Sequence, residues 1–135
     1  MKKLSLALLL LSAFALASLN AQIKVEVNNA LDLMNAIQSD VIIELAPGEY
    51  NISQIMEEIN NPNVSLVDNF DGYEPNIYEI SNLTIKGGGK ATILLEPRYA
   101  WVMYFINCTN LKFEGITFGH TESGYCMGGV LGFDS

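Results

Sequence analysis

The apolar residues of this chain follow two periods, one helical and one of strands. Val27, Ala30, Leu31 and Met34 fall at i, i+3, i+4 and i+7, and Ile37 extends the stripe; that is the repeat of an amphipathic helix. Asn28 or Asn29 supplies a side-chain oxygen able to cap its first turn. After Asp40 the pattern changes to β-branched runs. Val41-Ile42-Ile43-Glu44-Leu45 closes on Pro47-Gly48, which predicts a strand entering a turn, and a second short strand is expected over Tyr50–Ile52. Ile55, Met56 and Ile59 predict a turn or two of helix between Gln54 and Asn60. The stretch from Asn61 to Asn76, rich in Asn, Asp, Pro and Gly, reads as a long surface excursion whose Phe70 and Tyr73 fold back on the body. Short strands are then expected at Ile77–Ile80, Leu83–Lys86, Thr92–Glu96, Trp101–Ile106, Leu111–Phe113, Ile116–Phe118 and Val130–Phe133.

A repeat of 28 residues runs through these strands: Asn82, Leu83 and Ile85 recur as Asn110, Leu111 and Phe113; Gly87 recurs as Gly115; Val102, Phe105 and Asn107 recur as Val130, Phe133 and Ser135. A fixed interval in this range predicts units that bury their apolar sides by stacking. The expected fold is all-β, a right-handed parallel β-helix or solenoid, with the helix at 31–37 as an N-terminal lid and the first coils after it. Phe105 is expected over Phe133 and Leu83 over Leu111 inside, at the strand spacing of about 4.8 Å. Outside, Asn82 is expected over Asn110 at a turn, where Asn side chains satisfy turn amides, and Lys86 over Glu114. The chain stops at Ser135 in mid-repeat. The reading therefore includes a truncated chain, a longer relative that continues coiling, and self-association through the uncovered C-terminal coil.

Met1-Lys2-Lys3 followed by the uncharged run Leu4–Leu19 has the layout of a secretory signal peptide. Residues 1–21 are assigned to it and 22–135 to one domain, with cleavage after Ala17 or Ala21 both open. The expected location is secreted, periplasmic or at the cell surface, with no membrane span after cleavage. Without the leader, Lys24, Lys86, Lys90, Arg98 and Lys112 face all 15 acids. So acidic a chain does not suit nucleic acid or anionic lipid, both of which are bound through clustered Lys and Arg.

Asp40-Val-Ile-Ile-Glu-Leu-Ala-Pro-Gly-Glu-Tyr-Asn-Ile52, after an amphipathic helix and before Asn82-Leu-Thr-Ile-Lys-Gly-Gly-Gly89, resembles the N-terminal region of the pectate-lyase-like superfamily of right-handed β-helix proteins. The resemblance implies a polysaccharide partner and, for a complete relative, a polysaccharide lyase or glycoside hydrolase, in some cases holding calcium. The same opening also precedes non-catalytic surface and adhesin-like proteins. No residue here matches the enzymes' working motifs, so this chain is expected to lack a complete active site.

Candidate chemistry is sparse. His120 and Glu122 lie in the loop Gly119–Cys126 and join a general base to a carboxylate; such a loop also needs polar residues simply to turn. Cys108 and Cys126 are close enough in sequence for a disulfide in an oxidising compartment, or pack as two free thiols. Asp68, Asp71 and Glu74 offer hard oxygen ligands for calcium, but their spacing fails the EF-hand rule, which favours reading them as solvated loop acids. Arg98, Tyr99 and Trp101, with Tyr104 nearby, combine aromatic faces with a cation, as sugar-binding surfaces do, although strand alternation turns some of these rings inward. Lys86-Gly87-Gly88-Gly89-Lys90 lacks the spacing of a phosphate loop and reads as a turn.

Overall fold

A computed structural model describes residues 21–121 and 126–135. Residues 1–20 of the expected signal peptide lie outside them. The elements run β1 (Ile23–Val27), α1 (Ala30–Ala36), β2 (Val41–Leu45), β3 (Gly48–Asn51), 3-10 turns at Ile52–Gln54 and Met56–Glu58, β4 (Val64–Asn69), β5 (Gly72–Tyr78), β6 (Ser81–Leu95), β7 (Met103–Ile106), β8 (Thr109–His120) and β9 (Leu131–Asp134). They form two sheets. In the five-stranded sheet β1 pairs with β2, and β6 pairs with β2 and β3 along one edge and β8 along the other, all parallel. The four-stranded sheet has the order β4-β5-β7-β9, with β4 and β5 an antiparallel hairpin and the remaining pairs parallel.

The expected right-handed β-helix is therefore corrected. The strands make two open sheets, one of them mixed in orientation, with no closed coil. The physical reason lies in the repeat: it occurs twice, whereas a solenoid core needs about three stacked units or more. The segment before it does not follow the interval either. It lays β1 and β2 on one sheet and folds the expected excursion into a hairpin on the other. What the repeat does set is register. Leu83 lies beside Leu111 and Ile85 beside Phe113, and Phe105 beside Phe133 with rings stacked at 5.7 Å.

These rows form the core. Val41 and Leu83, like Ile43 and Ile85, are adjacent across the ladder and fully buried. Ile77 and Phe105 close the core from the other sheet, and Phe105 meets Phe113 of the facing sheet at 5.5 Å. The glycines at 87 and 115 mark where β6 and β8 come too close for side chains: a Cβ on Gly87 would sit 2.6 Å from the Gly115 carbonyl oxygen. The register changes there, because β6 spends four residues, Gly87 to Lys90, where β8 spends Gly115 alone. Leu83 is offset from its partner by 28 residues; Ile93, paired with Phe118, is offset by 25. The Gly-rich segment is thus a bulge inside a long strand, with Gly88 and Gly89 at φ +58° and +74°.

α1 packs against β1, β2 and β3 through Leu33, Met34 and the following Ile37, with the Asn29 side chain accepting from the Asp32 amide as its N-cap. Val27, expected on the helix, belongs to β1. Beyond the helix, Asn61 acts as a buried clamp: its amide nitrogen donates to the carbonyls of Met34 and Ile37, both at 2.8 Å, and its oxygen accepts from Asn63 N–H at 2.9 Å. Two orphan carbonyls at the end of α1 are thereby satisfied. Tyr50, also buried, donates to Ala46 O at 2.9 Å, with Val27 O at 3.0 Å as the alternative acceptor. Burial holds its phenol above the usual tyrosine range, and the Ala46 bond opposes this.

On the turn side Asp40, Asn82 and Asn110 all take left-handed backbone conformations. Asn110 Nδ2 donates to Asn82 Oδ1 at 2.7 Å, and Asn82 Nδ2 to Asp40 Oδ1 at 2.8 Å. The expected Asn stack is present, but its side chains bond one another instead of turn amides. Lys86 also faces Glu114, at 3.6 Å, with Lys112 closer at 2.6 Å; these exposed pairs hold the Glu114 carboxyl below its usual range, chiefly through the Lys112 hydrogen bond.

Two measurements check this packing. Asn61→Asp replaces a donor to two carbonyls by an acceptor, and should lower unfolding free energy by about 2–3 kcal/mol in urea melts at neutral pH. For Tyr50 the folded phenol binds its proton more tightly than the unfolded one, so wild-type stability should fall as pH rises above about 10. Tyr50→Phe should remove that component of the slope and cost about 1 kcal/mol below it.

Candidate functional site

The chemistry-bearing residues of the four-stranded sheet converge on the segment 96–104. The tip of the β4–β5 hairpin reaches this segment through two carboxylates. Asp71 accepts from the Arg98 and Tyr99 amides at 2.7 and 3.2 Å, and Glu74 accepts from the Trp101 amide at 2.7 Å. Glu74 is buried, yet its charge is met by this charge-assisted bond. Asp68 stands apart in the hairpin ladder opposite Tyr73. The three acids expected as calcium ligands are thus not gathered, and no cluster of three metal-binding side chains occurs among the described residues.

Below the hairpin tip lies an open groove of about 390 Å³, lined by Ser53, Met56, Asp71, Gly72, Tyr73, Glu96, Pro97 and Arg98. It borders a second depression that Ser53, Met56 and Tyr73 also line, together with Gln54, Glu57, Glu58 and Leu66. Its walls are acidic apart from Arg98, whose side chain forms no ion pair within 4.0 Å among the described residues. Gly72 sits where the hairpin meets the groove floor: a Cβ there would lie 2.5 Å from Pro97 Cγ.

Two pairs of aromatic rings lie on and near the segment 96–104. Phe70 and Tyr99 pack at 4.9 Å, and Trp101 and Tyr104 at 6.0 Å. Phe70 is 82% exposed, Tyr73 50% and Tyr99 41%. Trp101 and Tyr104 are half-buried on the outer face of the sheet, where Tyr104 shares a row with Asn76 and Gly132. The row alternates with the core row Ile77, Phe105 and Phe133, which faces inward. Both rings rest on glycine: a Cβ on Gly132 would run into the Tyr104 ring, and one on Gly129 into the Trp101 indole. Asn76 is buried beside them, and its Oδ1 has no hydrogen-bond partner among the described residues.

The remaining candidates fall elsewhere. His120 ends β8 with Nε2 3.3 Å from the Gly129 carbonyl oxygen, in the segment before β9. Glu122 lies outside the described residues, so the proposed pair does too. Cys108 and Cys126 are free thiols. Cys108 sits at the β7–β8 corner within 3.3 Å of Ile106 O, and Cys126 lies 3.3 Å from Arg98 O, so of the two readings, disulfide or free thiols, the structure has the free thiols. Sequence reasoning found Arg98, Tyr99 and Trp101 but missed Phe70, Glu74 and Asn76 as their neighbours. The signal was the alternation of Val64-Ser65-Leu66-Val67 before Asp71-Gly72, a hairpin signature within a segment read as loop.

No protein-family model, curated protein or solved structure matches this chain. Among the described residues no helix is long and apolar enough to cross a membrane.

The glycine floor is testable. Gly132→Ala should displace the Tyr104 ring, changing the near-ultraviolet circular dichroism and tryptophan emission while far-ultraviolet signal is kept, at a cost of about 1–3 kcal/mol. Unchanged emission together with unchanged stability would show that the ring does not rest there.

Proposed function

We propose that this chain is an exported protein that binds neutral polysaccharide and performs no reaction of its own on it. Export rests on the basic start Met1-Lys2-Lys3 and the uncharged run that follows. The observation that carries the binding reading is the ring pair Phe70–Tyr99, whose chain neighbours Asp71 and Arg98 line an open groove, with a second pair, Trp101–Tyr104, a few residues further along the chain. Sugar rings present C–H faces that pack on such surfaces, and their hydroxyls suit the carboxylate, amide and guanidinium groups found beside them. A long polymer fits an open groove better than a closed pocket does. Neutral polymers are favoured because Asp71, Glu96, Glu57 and Glu58 surround the groove and the chain carries a formal net charge of −8.

Binding is favoured over catalysis because the two carboxylates nearest the aromatic rings, Asp71 and Glu74, are committed to backbone amides. Asp71 holds two and Glu74 one, and an acceptor engaged in this way is a poor shuttle for protons. Affinity electrophoresis through gels cast with xylan, mixed-linkage β-glucan or polygalacturonate tests the reading. Retardation is expected in at least one neutral gel and not in polygalacturonate. Tyr99→Ala and Trp101→Ala should each weaken it by up to about tenfold, the loss of one ring stack. Free migration through every gel would overturn the proposal, as would retardation that neither substitution alters.

A further inference from the structure

We infer that the outer face of the four-stranded sheet holds a site for a primary ammonium group, taken by Glu74 and Asn76 beside the Trp101–Tyr104 ring pair. This goes beyond the carbohydrate reading and does not depend on it. Glu74, Asn76 and Tyr78 alternate along β5 with Tyr73, Pro75 and Ile77. Ile77 lies in the core, so the first three share the outer face. Tyr73, which lines the groove, belongs to the opposite face.

Glu74 and Asn76 are 8% and 7% exposed, and each keeps an acceptor to spare. Glu74 takes the Trp101 N–H on one carboxylate oxygen, Oε2. None of the ion pairs among the described residues includes it. A nearly buried negative charge is thus met by a single amide, where burial calls for a counter-charge. Asn76 donates through Nδ2 to the Tyr78 hydroxyl at 3.5 Å, while its Oδ1 has no partner among the described residues. An apolar side chain of the same size would fold there at lower cost, so the amide calls for an explanation outside packing.

The two leftover acceptors define the ligand. Residues two apart on one face of a strand stand about 7 Å from each other, a span that one donor group can bridge. That group must donate in two directions and carry positive charge. A primary ammonium, with three N–H donors, does both, whereas a hydroxyl donates once and leaves the charge unmet. Tyr104 is the ladder partner of Asn76, and its ring lies 6.0 Å from the Trp101 indole. Aromatic faces attract a cation and pack against the carbon stem that carries it. Tyr78 is half-buried and turns aside to admit the ligand to Asn76. The net charge of −8 draws cations to the molecule as a whole.

Trp101 is the chain's one tryptophan, so its emission reports on the site. The mature chain is titrated with propylammonium and with glucosamine at fixed ionic strength and mildly acidic pH, where both amines are charged. Propanol, glucose, propionate and calcium are the comparison arms. A saturable change in emission is expected with the two ammonium compounds alone. Tighter binding of glucosamine would assign the group to an amino sugar, tighter binding of propylammonium to an alkylamine. Glu74→Gln keeps an oxygen for the Trp101 amide but removes the charge, and should weaken binding about tenfold. Asn76→Leu should weaken it as much while the thermal melt stays level or rises, which a merely structural amide would not allow; it decides alone if Glu74→Gln fails to fold. The inference is overturned by a flat titration with both ammonium compounds, by an equal response to any comparison arm, or by binding that Asn76→Leu leaves unchanged.

Discussion

Every other feature of this molecule hangs on the parallel ladder of β6. Its first half takes β2 on one edge and its second half takes β3, while β8 runs along the whole of the other edge. Apolar residues recurring two apart along each strand are carried into rows, and the rows become the core: Val41, Leu83 and Leu111, then Ile43, Ile85 and Phe113. Parallel ladders of this kind join segments far apart in sequence, so closing them costs chain entropy that only a well-filled interior repays. The Asp40–Asn82–Asn110 ladder marks the same register from outside.

That ladder also explains where the candidate site sits. The turn from β6 into β7 passes through 96–102, beyond the end of the long strand, where no sheet partner fixes the backbone. The hairpin of β4 and β5 and the segment before β9 do so instead: Asp71 and Glu74 take up the amides of Arg98, Tyr99 and Trp101, and Arg98 O and Val102 N–H bond to the backbone of residues 127–129. Two of the acids weighed as calcium ligands are thus used to hold a loop, on which Tyr99 is exposed and Trp101 half-buried. Gly129 provides the space in which the Trp101 ring lies, and Gly132 that of Tyr104 on β7. The candidate site and the scaffold are connected by a handful of hydrogen bonds to backbone amides.

Much of the strand register could be read from the sequence, because a repeat of apolar residues at a fixed interval states which side chains become neighbours. Leu83 with Leu111, Phe105 with Phe133 and Lys86 with Glu114 follow from it directly. Closure into a coil did not follow. Two copies specify one stacked pair, and nothing in the interval dictates how the preceding residues are arranged. β1 was missed because Lys24 and Glu26 alternate with half-exposed apolar residues at a sheet edge. The β4–β5 hairpin was hidden by its polar composition, and the role of Asn61 by the fact that a clamp on helix carbonyls is set by tertiary position. At the site, residue types pointed to Arg98, Tyr99 and Trp101, while the partners that orient them come from a hairpin about 27 residues earlier, a pairing no local pattern encodes.

The most direct test of the ladder is a cross-strand disulfide. Ser81 and Thr109 are ladder partners with their hydroxyls 3.0 Å apart, a separation compatible with disulfide geometry. In a background carrying Cys108→Ala and Cys126→Ala, Ser81→Cys with Thr109→Cys should oxidise within single chains, at dilute concentration, to a species of monomer mass that unfolds at higher denaturant. Ser81→Cys with Lys112→Cys should not. If the first pair stays reduced or links only between molecules, while the second closes as readily, β6 and β8 do not lie in this register and the core described here is wrong.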